Sequence, residues 1–105
     1  MQRILKKIKR LIISGQYVFT LKAESEMFVD NFTETDILES ILNANGIKKI
    51  IKSTSPYSKK HERLYVIESF TYDGVLIYTK GTIKRDETEQ ETFYLLISSK
   101  KSTVL

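Results

Sequence analysis

The chain has no cysteine and no tryptophan, a single proline, a single histidine and four glycines. Without a thiol there can be no disulfide framework, no iron–sulfur cluster and no thiolate zinc site. One His and scattered carboxylates leave little for any other metal centre, so neither a metal nor a cofactor is expected. No apolar run approaches the roughly 20 residues that a membrane-spanning helix needs. The basic start of the chain also lacks the block of about 7–15 apolar residues of a signal peptide, so a cytoplasmic protein without a membrane partner is expected. There is no Gly-rich phosphate loop and no G-x-S-x-G, which excludes P-loop nucleotide hydrolysis.

What is present fits one domain. The 105 residues are 41% hydrophobic and 29% charged, with six Tyr and five Phe, a globular composition rather than a disordered one. The formal charge is +4, and it is unevenly placed. Arg3, Lys6, Lys7, Lys9 and Arg10 crowd the first ten residues, whereas Glu24 to Glu39 holds six acids and no base. A sequence pI near 9.3 suits an anionic partner such as nucleic acid, although many small lysine-rich proteins carry such a balance with no ligand, and on charge alone that plainer reading is the better one.

Residues 2–14 read as an amphipathic helix: Ile4, Ile8, Leu11 and Ile12 fall on one face, the bases on the other, and Gly15 supplies the stop. Residues 16–20 read as an extended link. Thr20 is placed to cap a helix over 21–30 with Ala23 and Met27 inward, and the acids of its first turns suit the positive helix end. Thr33 and Asp36 have capping-box spacing for a third helix through Asn43 that buries Ile37, Leu38, Ile41 and Leu42. The texture then changes to strands over 47–53, 62–71, 75–84 and 92–99, with Asp73-Gly74 as a hairpin turn. Helices first and a meander afterwards predict an α+β domain spanning 1–105, with a helical part over 1–45, an antiparallel meander over 46–101 and a short tail over 102–105. The helices would cover one face of the sheet and leave the other partly wet.

Along strand 75–84, Val75, Ile77, Thr79, Gly81 and Ile83 belong against the helices, which leaves Leu76, Tyr78, Lys80, Thr82 and Lys84 on the open face. The end of the last strand lies beside the start of this one in a meander, so Lys100 should approach Tyr78, with Lys101 next to it. Lys52 closes the first strand, and Tyr57, Lys59, Lys60 and His61 follow in the loop. A basic surface with interleaved tyrosines suits single-stranded RNA, since lysines hold phosphates and rings stack on unpaired bases. The same groups can cleave RNA without metal. A base takes the 2′-hydroxyl proton, the oxygen attacks the adjacent phosphate, a cation stabilises the added charge, and an acid protonates the departing 5′-oxygen. The plainer alternative is that Tyr78 is a half-buried strand residue and Lys80 a solubilising charge.

In order along the chain, Ile8-Lys9-Arg10-Leu11-Ile12, Gly15-Gln16-Tyr17, Thr20 and Ala23 are followed by Lys52-Ser53-Thr54 and Tyr57-Ser58. Gly74, Tyr78-Thr79-Lys80 and Ile97-Ser98-Ser99-Lys100 complete the series. This succession resembles the motility-quorum-sensing-regulator (MqsR) type toxins, which are RelE-like messenger-RNA endoribonucleases. The Thr-x-x-Ala-x-x-x-Met helix also resembles the uncharacterised DUF4258 group, which often has His-Ala where this chain has Lys22-Ala23. The resemblance implies that Lys52, Tyr78 and Lys100 form the active site, the lysines neutralising the scissile phosphate and Tyr78 moving a proton. It also implies a cognate antitoxin protein as partner. The family's active-site Gln has no equivalent here; Tyr65, or Arg63 with a shifted gap, falls nearest.

The expectation is thus a toxin of a type II toxin–antitoxin system that cleaves messenger RNA, free or ribosome-bound, by metal-independent transesterification. Tyr57, Lys59, Lys60, His61, Arg63, Tyr65, Lys80 and Lys101 are the expected RNA-binding residues. The alternatives are a non-catalytic RNA- or protein-binding module that uses the basic helix 2–14, and a family member that folds but no longer cuts.

Overall fold

Leu5, Ile8, Leu11 and Ile12 bury one stripe of α1 (Gln2–Ile13), while Arg3, Lys6 and Arg10 stay exposed and Lys7 and Lys9 are half-buried. The computed structural model describes residues 2–52 and 62–103 of the chain. Gly15 ends α1 in the left-handed region, φ 75°. There the Gln16 N–H reaches Leu11 O at 2.8 Å and the Gly15 N–H reaches Ile12 O at 3.0 Å, satisfying carbonyls that the helix leaves open. Thr20 caps α2 (Leu21–Val29), its hydroxyl accepting the Ala23 N–H at 3.1 Å. Thr33 and Asp36 form the reciprocal capping box of α3 (Glu34–Leu42) at 3.2 and 2.9 Å. Ile37 and Ile41 are buried as expected, with Leu38 and Leu42 partly buried around them.

Residues 17–19 depart from the expected link. They form β1 (Tyr17–Phe19), an edge strand parallel to the last strand, so the sheet is mixed rather than wholly antiparallel. The remaining strands are β2 (Lys49–Lys52), β3 (Arg63–Phe70), β4 (Leu76–Arg85) and β5 (Glu91–Lys101), and the order across the sheet is β1-β5-β4-β3-β2. The architecture is α+β, with the helices packed on the sheet through a shared core. No helix among the described residues is long and apolar enough to cross a membrane.

The helix-facing side carries Tyr65 and Ile67 of β3, Ile77 and Ile83 of β4, and Tyr94 and Leu96 of β5, all buried. Burying an aliphatic or aromatic side chain of this size contributes roughly 1.5–3 kcal/mol. Thr79, fully buried on that side, donates its hydroxyl to Ile67 O at 3.2 Å. Gly81 lies beneath Tyr94, whose ring passes where a side chain on residue 81 would stand. Two register shifts interrupt the β4–β5 ladder, at Lys80/Gly81 and Lys84/Arg85.

β1 covers β5 only as far as Leu96, so the outer edge of β5 beyond it needs other partners. Two carboxylates four residues apart, Glu26 within α2 and Asp30 at its C-terminal cap, supply them. Glu26 accepts from the Ser98 hydroxyl at 2.7 Å and the Ser99 N–H at 3.1 Å, and Asp30 accepts the Lys101 N–H at 2.7 Å. The helix-end preference of acids therefore does not fully account for these residues. They satisfy donors that a bare sheet edge would expose.

Candidate active site

The open face is ordered in cross-strand rows, because residues of like parity on paired strands stand side by side. One row runs Glu68 on β3, Tyr78 on β4 and Lys100 on β5. Its neighbour runs Lys49 on β2, Val66 on β3, Lys80 on β4 and Ser98 on β5. The rows are two residues apart along each strand, roughly 7 Å. They open into a groove of about 380 Å³ whose walls include Lys48, Lys49, Glu68, Tyr78, Lys100 and Lys101.

Tyr78 and Lys100 meet as the parity argument expects: the ammonium nitrogen lies 5.4 Å from the ring centroid, within cation–π range. Opposite them, the Glu68 side chain is only 8% exposed. Its two carboxylate oxygens accept from the Lys48 ammonium and from the Ser102 hydroxyl. The Lys48 bond first, and Ser102 after it, hold the Glu68 carboxyl below its ordinary value against the opposing effect of burial. An ionised carboxylate, a phenol and an ammonium thus stand across three adjacent strands, with further lysines around them.

Other expected residues lie elsewhere. Lys52 pairs with Arg63, five β3 residues from the Glu68 position, or roughly 17 Å along the strand, and its parity is that of the helix-facing side. The structure therefore does not bring Lys52 to Tyr78 and Lys100, and the threefold constellation reduces to a pair. Tyr65 is a second correction. It was expected on the RNA face, but it is 6% exposed and its register partner is Gly81, so its ring belongs to the core side. Arg63 and Tyr65 line a separate cavity of about 270 Å³ with Ile4, Lys7 and Arg85. Lys80 does lie on the Tyr78 face, half-exposed between Val66 and Ser98. Tyr57, Lys59, Lys60 and His61 lie outside the described residues.

Glu68, Lys48, Lys49 and Ser102 were not anticipated. The available signal was Glu68 itself, a lone carboxylate in the middle of the strand run Leu64-Tyr65-Val66-Ile67-Glu68-Ser69-Phe70. A charge there must have a partner or a task. The basic face of α1 is partly committed to structure. Lys9 donates to Ala44 O at 2.7 Å, and Lys7 pairs with Glu91 at 2.8 Å. No protein-family model, curated protein or solved structure matches this chain.

Proposed function

We propose that this domain binds single-stranded RNA across the open sheet face and cleaves it without a metal. The observation that carries the reading is the Glu68–Tyr78–Lys100 row inside a lysine-lined groove. Lys100 and the neighbouring Lys80 neutralise the phosphate. Glu68, ionised near neutrality, takes the proton from the 2′-hydroxyl; the 2′-oxygen then bonds to phosphorus as the bond to the 5′-oxygen breaks. Tyr78 delivers the proton to that leaving oxygen. The products are a 2′,3′-cyclic phosphate and a 5′-hydroxyl. Together with the resemblance, this chemistry supports a cytoplasmic messenger-RNA endoribonuclease toxin held in check by a cognate antitoxin.

The test is cleavage of a single-stranded RNA in EDTA, with the new 3′ ends identified chemically. Wild type should generate cyclic phosphate ends. Tyr78→Phe, Glu68→Gln and Lys100→Ala should each slow the reaction, Lys100→Ala by about 10²–10³, the size of a lost oxyanion donor. Lys52→Ala should cut at close to the wild-type rate, because residue 52 stands far from the row. Retention of RNA without any cleavage would leave an RNA-binding module, the reading favoured by the engagement of both Glu68 oxygens with Lys48 and Ser102.

A further inference from the structure

One row beyond Glu68–Tyr78–Lys100, on the same open face, Phe70 pairs with Leu76. Phe70 is 54% exposed, while the apolar residues of its strand that face the helices are buried. It stands two residues from Glu68 and diagonally across from Tyr78, roughly 7–8 Å away. The backbone beneath it is fixed. The Asn43 side-chain amide donates to Phe70 O at 3.0 Å, and Glu39 accepts the Tyr72 N–H at 3.0 Å, so α3 clamps the hairpin from behind. Thr71 closes the turn, its N–H reaching Val75 O at 2.9 Å and its hydroxyl accepting the Val75 N–H at 3.2 Å. A flat apolar ring is thus held in water by a rigid support, beside a groove lined with cations.

The geometry points to Phe70 as the stacking platform for an unpaired nucleobase next to the phosphate held at Tyr78 and Lys100. This inference rests on the RNA reading above and names its base subsite. Every base has a π face, so such a platform accepts purines and pyrimidines alike, and requires only that the base be unstacked from a duplex. It selects single-stranded over double-stranded RNA rather than one sequence over another. The subsite binds and orients; it takes no part in proton transfer.

Because the chain has no tryptophan, Phe70→Trp creates a single reporter at this position. The probe is a single-stranded 2′-deoxyoligonucleotide, which lacks the attacking hydroxyl and so stays intact, compared with the same sequence as a blunt duplex. Phe28→Trp serves as control, since Phe28 is 84% exposed on the outward side of α2. Fluorescence at residue 70 should be quenched by the single strand, little by the duplex, and at residue 28 by neither. Phe70→Ala should weaken binding of a single-stranded RNA by roughly 5- to 150-fold, the range of one lost base stack, with an unchanged melting temperature. Wild-type affinity in Phe70→Ala, or a residue-70 reporter that does not respond to an oligonucleotide shown by anisotropy to be bound, overturns the subsite and leaves the RNA reading standing. A wild type that binds no single strand at all overturns both.

Discussion

Replacing Gly81 by alanine should destabilise the protein, although glycine-to-alanine changes in extended chain more often help. Nothing about the Gly81 backbone demands glycine: its φ is not in the left-handed region. A new methyl would ordinarily stabilise by about 0.4–1 kcal/mol, by restricting the unfolded chain. Here, however, the added Cβ would lie 2.6 Å from Tyr94 Cζ and 2.7 Å from Leu95 O. The tyrosine is fully buried and cannot swing away, and the second obstacle is backbone of the adjacent strand. Overpacking of this kind costs about 1–3 kcal/mol. With two contacts this short the upper part of that range applies, leaving a net loss of roughly 2 kcal/mol, or about 8–16 °C in melting temperature for a domain of this size. Gly46→Ala is the matched comparison. Gly46 also has no left-handed φ, and nothing lies within 4 Å of its would-be Cβ, so that change should be neutral or stabilising. Thermal denaturation of both variants, followed by circular dichroism, reads the two signs directly. If Gly81→Ala melts at or above the wild-type temperature, Tyr94 does not lie across β4 as described.

Three further outcomes are expected. Glu26→Ala should cost about 1–3 kcal/mol in chemical denaturation, because it strands the buried Ser98 hydroxyl and Ser99 N–H; Glu26→Gln, which keeps an acceptor, should cost less. The folded pKa values of Glu26 and Glu68 lie below the ordinary carboxyl value of 4.5; for Glu26 burial is the largest single effect and opposes this, but the Ser98 and Ser99 bonds with the Lys22 and Lys100 charges together outweigh it. The unfolded chain therefore binds more protons there, so the stability these groups provide is present above about 4.5 and falls as the pH drops further, and Glu68→Gln should flatten that part of a pH–stability curve. Tyr94→Phe removes a buried hydroxyl with no hydrogen-bond partner among the described residues and should leave stability equal or raise it, in urea unfolding.

Much of the helical half was legible, because its signals are local. The α1 stripe, the Gly15 stop and the Thr33/Asp36 box each depend on residues within a turn or two of one another. The β4 parity was legible as well, since Ile77, Thr79, Gly81 and Ile83 contrast in chemistry with Tyr78, Lys80 and Lys84. β3 offers no such contrast, for Leu64 and Val66 are as apolar as Tyr65 and Ile67, so nothing in its alternation sends Tyr65 inward. β1 is three residues long, too short for a period, and its existence depends on Tyr94–Leu96 far along the chain. Lys52 was displaced by the β2–β3 register, which is set across a loop. Glu68 gains its meaning only when Lys48 and Tyr78 are seen on either side of it.

The pairing of β1 with β5 has a consequence for how the protein is made. The strand that flanks β1 is the last to be synthesised, and it also lies between β4 and the carboxylates of Glu26 and Asp30. Until Glu91–Lys101 joins the sheet, α1 and α2 lack the strand against which they chiefly pack, whereas α3 already has β3 and β4 to rest on. Closure must await a contact between residues nearly eighty positions apart, a long loop that slows folding. The β1 edge and the docking of α1 and α2 thus wait for β5, and the Glu68–Tyr78–Lys100 row is complete only when its third member arrives.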